Sequence, residues 1–177
     1  VLAGCGNDRT AAPDLGVIPA PKGFRAALYP AQGIDFRAPT NWRISPGQGT
    51  HVATVAIGDA QVGIFRFPRT EPLPETRDQL NAARDAVVKQ IEGRDPTFKL
   101  TSTRLVLKKG IRAVEVVGVG TNLTNPSVMR AVRSLHAYGE GAEIVIDAFA
   151  PPKDFARVDE QTFGPMTRSL TLRTPKA

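Results

Sequence analysis

Apolar residues alternate with polar or small ones over most of the chain, and one stretch switches to helical spacing. Residues 24–29 and 34–38 read as strands joined through Pro30-Ala31-Gln32-Gly33, with Ile34 and Phe36 on one face. Pro39-Thr40-Asn41-Trp42 breaks the second strand, and Ser45-Pro46-Gly47-Gln48-Gly49 reads as a loop. Residues 51–57 and 61–67 form a hairpin pattern about Gly58-Asp59-Ala60. In the latter, Val62, Ile64 and Arg66 oppose Gly63, Phe65 and Phe67. Apolar side chains on both faces predict a sheet covered, at least in part, on both sides.

The helical stretch follows a proline-interrupted connection at residues 68–74. Pro74 suits a first helical turn, and Glu75 and Asp78 suit the positive end of a helix dipole. Leu80, Ala83, Val87 and Ile91 recur at steps of three and four, and Gly93 and Pro96 end the element near Glu92. Strand patterns return at 98–107 and 111–121 about Lys108-Lys109-Gly110, followed by a loop at 122–126. A long pair at 128–138 and 142–150 turns at Gly139-Glu140-Gly141, where glycine supplies positive φ angles. In the second member Ile144, Ile146 and Ala148 oppose Val145, Asp147 and Phe149. After Pro151-Pro152, the spacing of Phe155, Val158, Phe163, Met166 and Leu170 around Gly164-Pro165 predicts one or two short helices laid on the sheet. A last short strand is expected at 170–173. Seven or eight strands in hairpin-linked runs, with one central and some terminal helices, predict a single antiparallel α+β domain over residues 23–177.

The strand ending in Pro39-Thr40-Asn41-Trp42, the hairpin, the amphipathic helix, the paired strands and the closing Phe163-Gly164-Pro165-Met166-Thr167-Arg168-Ser169-Leu170 resemble the PsbP/Mog-type superfamily. That group includes bacterial lipoproteins of the LpqN kind, and the resemblance spans about residues 24–173. It implies an α/β/α sandwich, an antiparallel sheet flanked by helices on both faces. It also implies a non-catalytic binding or assembly role, since one branch supports the photosynthetic oxygen-evolving complex, another binds a Ran GTPase and a mycobacterial branch meets envelope proteins. Such partners are too different for the fold to transfer one, and no family ligand or catalytic residue is carried over.

Leu2-Ala3-Gly4-Cys5 resembles the lipobox of bacterial lipoprotein signal peptides, with residues 1–5 as the remnant of the signal. The only cysteine would then be the acylated, palmitate-bearing residue that anchors the protein on the extracytoplasmic face of the cell membrane. Residues 6–22, with three prolines and little apolar periodicity, read as a flexible tether. The expected partners are the membrane through Cys5 and an envelope protein or lipid, with the domain itself a monomer. One cysteine excludes an internal disulfide and a cysteine-based metal cluster.

Lysine and arginine number 23 against 17 acidic residues, a net charge of +6. The excess is spread: 7 basic against 5 acidic side chains in residues 1–71, 8 against 5 in 72–110, and 8 against 7 in 111–177. Without a basic block, a nucleic-acid partner is not expected. The chain contains no hydrolase elbow, zincin motif, phosphate loop or dinucleotide fingerprint, so no enzyme activity or cofactor is expected. His51 and His136 stand alone in strands with no third metal ligand at useful spacing. Asp35 and Asp147 interrupt strands and are the acid candidates, able to act as a carboxylate pair if two strands bring them together. That pairing would make the protein an envelope hydrolase, the alternative to a binding module. Trp42 reads as an indole fixing a strand corner or, less simply, a ligand-stacking ring. Lys108 and Lys109 at a turn tip could meet phosphate or lipid headgroups. Replacing Cys5 by Ser is expected to move the protein from the membrane to the soluble fraction on cell fractionation. Unchanged membrane association, with no acyl labelling of the parent, would refute the anchor.

Overall fold

The structure, a computed structural model, describes residues 16–108, 110–122 and 125–176. Two runs of hairpins give two antiparallel sheets. The smaller holds β1 (Phe24–Tyr29), β2 (Ile34–Pro39) and the short β10 (Thr171–Leu172), with β2 in the middle. The larger holds β3 (Arg43–Pro46), β4 (His51–Ile57), β5 (Ala60–Pro68), β6 (Lys99–Lys108), β7 (Ile111–Asn122), β8 (Asn125–Gly139) and β9 (Ala142–Ala150). Its strand order is β3-β4-β5-β9-β8-β7-β6, so the second half of the sheet is inserted in reverse beside β5. The β8–β9 turn is tight because Glu140 and Gly141 both take positive φ, 51° and 66°. Gly139, expected in the turn, is still paired with Ala142 in the ladder.

The predicted helix is α1 (Arg77–Arg94). It starts at Thr76 and not at Pro74, because Thr76 and Gln79 form a capping box. The Gln79 amide donates to Thr76 Oγ1 at 3.2 Å and the Thr76 amide to Gln79 Oε1 at 3.0 Å. Its stripe buries Leu80 and Val87 against Val114, Val116 and Tyr138. Neighbouring residues on those strands, Ala113, Leu135 and Ala137, belong to the larger cluster with Ile64, Ile144, Ile146 and Trp42. That cluster also takes Val158, Phe163, Met166 and Leu170 from the closing helical stretch. The stretch comprises α2 (Pro152–Val158), one π-helical turn at Asp159–Phe163 and α3 (Gly164–Ser169). Pro165 does not break it, because a proline in the first turn of α3 has no intrahelical amide bond to lose.

Arg133 fastens the π turn to the sheet. Its guanidinium pairs with both oxygens of Asp159 and with Glu115, whose side chain is 4 % exposed and also meets Arg104 at 2.6 Å. Removing one member of such a buried set costs about 3–5 kcal/mol, because the remaining charge is left unpaired.

Several expectations are corrected. Residues 43–46 form an edge strand where only a break and a loop were expected, since pairing with β4 supplies what the local pattern lacks. The large sheet alone holds seven strands and the small one three, exceeding the seven or eight foreseen. The tether read over residues 6–22 is held from Ile18 onward: Ile18 is 4 % exposed and part of the main cluster. Asn41 then fixes the next turn, donating to the Ala20 carbonyl and accepting from the Lys22 amide, each at 3.0 Å. Cys5, Lys109 and most of the tether lie outside the described residues.

After α1 the chain dives onto the sheet at Gly118 and Gly120 of β7. A β-carbon on Gly118 would collide with the Phe98 ring and the Lys99 carbonyl. Outside it, β6 is an edge strand of the large sheet among the described residues, with a bulge between Leu100 and Ser102. Gly118→Val is expected to cost about 2 kcal/mol through overpacking, lowering Tm by about 5 °C in a thermal melt. Gly93→Ala, facing open space in α1, should match or exceed the parent.

A candidate binding trough

Alternation along three adjacent strands turns one set of side chains toward α1. On β9 these are Glu143, Val145, Asp147 and Phe149, on β8 Arg130, Val132, Ser134 and His136, and on β5 Gln61, Phe65 and Phe67. The register sets Gly63, Asp147 and Ser134 side by side across the three strands. α1 packs chiefly on β6 and β7, reaching β8 at Tyr138, and among the described residues no helix covers the rest of this face. Gln90, Ile91 and Arg94 of its last turns form one wall, and Phe98 extends it. The result is an open trough of about 720 Å³, within the size range of small-molecule sites.

A chain of polar groups runs along its floor. The Ser134 hydroxyl bonds Asp147 Oδ1 at 2.5 Å and lies 3.1 Å from His136 Nε2. His136 Nδ1 lies 2.7 Å from Glu143 Oε1, and Glu143 Oε2 lies 3.3 Å from Arg69. Two proton placements satisfy every bond. In one, Asp147 is ionised, Ser134 donates to it and both His136 nitrogens donate. In the other, Asp147 donates to Ser134, Ser134 to His136 Nε2, and His136 Nδ1 to Glu143. The two contain the same number of protons and differ only by transfer through the serine hydroxyl. Burial pushes the Asp147 carboxyl above the usual carboxylate range, opposed by the Ser134 bond and by the charges of His136 and Arg94. The hydrogen bond from His136 holds Glu143 below its ordinary range against the effect of burial, with Arg69 adding to the pull. Burial, with help from Glu143, pushes the neighbouring Tyr138 hydroxyl up to about 12.

At the opposite end Asp95 closes the loop after α1. Its Oδ1 accepts from the amide of Thr97 at 2.9 Å and from its hydroxyl at 2.6 Å, and its Oδ2 accepts from the Thr121 amide at 2.8 Å. The Thr97 hydroxyl is the largest cause holding this carboxyl below its usual range. Arg94 and Arg130 stand beside it in the trough wall.

Of the residues singled out from sequence, the trough unites Asp147 and His136. Asp35 is not with them, so the expected carboxylate pair does not form: it sits in the small sheet, 2.7 Å from Arg173 Nε. Trp42 is 2 % exposed and edge-on to Phe163, a core ring with no surface to stack a ligand. Lys108 donates to the Arg168 carbonyl at 2.8 Å, tying the turn after β6 to the end of α3. Ser134, Glu143, Arg94 and Arg130 were not foreseen. Ser134 and His136 are two apart in one strand, as are the members of the pair Gln61 and Gly63 in another, so their shared face is a sequence signal. That β8 and β5 both border β9 is not.

No protein-family model matches the sequence, and no curated protein matches it. Solved structures do. The cyanobacterial PsbP of Synechocystis aligns over 97 % of this chain and 99 % of its own, with TM-score 0.65 and 12 % identity. LpqN of Mycobacterium tuberculosis aligns over 86 % of this chain and 91 % of its own, with TM-score 0.57 and 16 % identity. The fold is PsbP/Mog-like. The Ran-binding protein Mog1p of Saccharomyces cerevisiae shares it, covering 86 % of this chain and 96 % of its own at TM-score 0.55 and 10 % identity. At such identities the PsbP/Mog-like domain carries over the fold alone, and the trough must be read from its own residues.

Asp147→Asn tests the floor. A carboxyl whose pKa is raised by folding carries no penalty below its unfolded pKa, where both states are protonated. It loses stability as pH rises toward the folded value. The Asn variant should therefore gain in Tm relative to the parent as pH rises above the range in which free aspartate titrates, followed by circular dichroism. A difference that shrinks as pH rises from there would contradict the raised pKa.

Proposed function

We propose that the protein is a lipid-anchored cell-envelope protein on the extracytoplasmic face, acting as a non-catalytic binding module for an envelope protein or lipid. Helices covering both faces of the large sheet would frame its site, and the trough is that site. The single observation carrying this reading is the open volume of about 720 Å³ lined by Phe65, Phe67, Phe98 and Phe149, with a bonded carboxyl on its floor. The Leu2-Ala3-Gly4-Cys5 pattern supports anchoring through acylated Cys5. Among the described residues no helix is long and apolar enough to cross a membrane. Likeness to LpqN, a protein involved in cell envelope biogenesis, supports the envelope setting, and likeness to the Ran-binding Mog1p supports a binding role.

One observation favours the alternative, an envelope hydrolase using strand carboxylates. Ser134, His136 and Glu143 are spaced as a nucleophile, base and orienting acid would be, at 3.1 and 2.7 Å. Two features weigh against it. The Ser134 hydroxyl is also bonded to Asp147. Ser134 also lies mid-strand between β7 and β9, where ladder bonds occupy the amides an oxyanion would need.

A photoreactive phenylalanine at position 149 of the anchored protein is expected to crosslink an envelope component in cells. Adding Val132→Trp, which fills the trough, should abolish the adduct, and the same probe at Leu107 should not form it. An adduct from Leu107 alone would move the site to the sheet edge. Turnover of p-nitrophenyl acetate that disappears in Ser134→Ala would instead establish the hydrolase.

A further inference from the structure

We propose that the trough takes a single-chain amphiphile with a monoanionic carboxylate head, seated between Arg94 and Arg130 with its chain along the ring-lined floor. This rests on the trough being the binding site. The register fixes the polarity of the groove: Arg130 pairs with Gly120 and Val132 with Phe149, placing Arg130 at the end where Asp95 grips Thr121. Arg94, the last residue of α1, directly precedes Asp95 and also lines the trough. Among the described residues neither guanidinium makes a hydrogen bond or a short ion pair, and the charge of Arg94 acts on Asp147 across the open volume. A guanidinium cannot shed its charge, and its planar fork suits a carboxylate. The other trough arginine, Arg69, is already paired with Glu143 and Glu71.

Charge selects the head. Asp95 is ionised and both its oxygens are engaged by Thr97 and Thr121, leaving one positive charge in excess over the two arginines' end. One excess charge matches a monoanion, whereas a dianion would face Asp95 without compensation. An added cation would meet two guanidiniums. Asp147 is tied to Ser134 at 2.5 Å on the floor, four residues along β9 from Glu143, so its carboxyl is already engaged within the floor. The chain has its own recognition surface in Phe65, Val132, Val145 and Phe149. From Arg130 to His136 the floor runs about 20 Å at the usual strand rise, room for an extended fatty-acid chain.

Isothermal titration of the full chain with dodecanoate, its methyl ester and dodecylammonium, each below its micelle concentration, tests this. Dodecanoate is expected to bind at least about tenfold more tightly than the other two, the effect of one charge-assisted pair. Arg94→Gln combined with Arg130→Gln should reduce it to the level of the ester, and Val132→Trp should abolish binding of both. Circular dichroism confirms that each variant is folded. Equal binding of acid and ester, both lost in Val132→Trp, would overturn the carboxylate head and keep the trough. Tighter binding of dodecylammonium would overturn it in favour of recognition by Asp147. Dodecanoate binding that survives Val132→Trp places the amphiphile elsewhere and overturns the proposal. No binding by any of the three does the same, leaving the crosslink at position 149 to judge the trough separately.

Discussion

A single helix cannot roof a seven-stranded sheet. A helix is about 10 Å across with its side chains and strands lie about 4.8 Å apart, so one helix covers about two of them. Here α1 takes β6 and β7. The strands β8, β9 and β5 extend past its cover, and their inward-turned residues must meet something other than a helix. The trough is therefore a consequence of count and width. What evolution could adjust is its lining, and the wall where the chain leaves α1 is lowered onto the sheet by the missing side chains of Gly118 and Gly120.

The two sides of the central strands treat charge differently. Arg133, turned away from α1, is enclosed by Glu115 and Asp159, every charge answered by another. Such a set specifies how the π turn docks more than it adds stability. On the trough side Asp147, Ser134, His136 and Glu143 are linked in series, but Arg94 and Arg130 are left facing the open volume. The first arrangement is closed and structural. The second is complete only along the floor, and the unanswered charge collects at one end.

Much of the fold was legible in the chain. The stripe Leu80, Ala83, Val87, Ile91 is enforced by the period of a helix, and the pair of long strands about Glu140-Gly141 by alternation and turn chemistry. What stayed hidden is non-local. The insertion of β9 beside β5 joins residues some eighty positions apart, and no local pattern encodes it. Hence Asp147 and His136 could be singled out one at a time, while Ser134 shares a face with His136 by alternation but has no local feature that ties it to Asp147. Asp35 and Asp147 looked alike in sequence because each is an acid within a strand. Only topology assigns them to different sheets. Ile18 is hidden for a related reason: a short apolar run such as Val17-Ile18 between prolines has no period, and the burial of Ile18 depends on a surface built by distant strands.

The outer rim of the large sheet at β6 carries a last consequence. A ten-residue edge offers a row of unsatisfied backbone groups, the kind of template on which another molecule's strand can grow. The bulge between Leu100 and Ser102 interrupts that row, and Lys99 and Lys108 stand at its two ends with Arg104 between them. An incoming strand would have to follow a kinked line between two lysine charges and past the Arg104 side chain, which Glu115 holds. The protein can thus keep one face of its sheet open to a ligand while its rim resists the polymerisation that exposed β-structure invites.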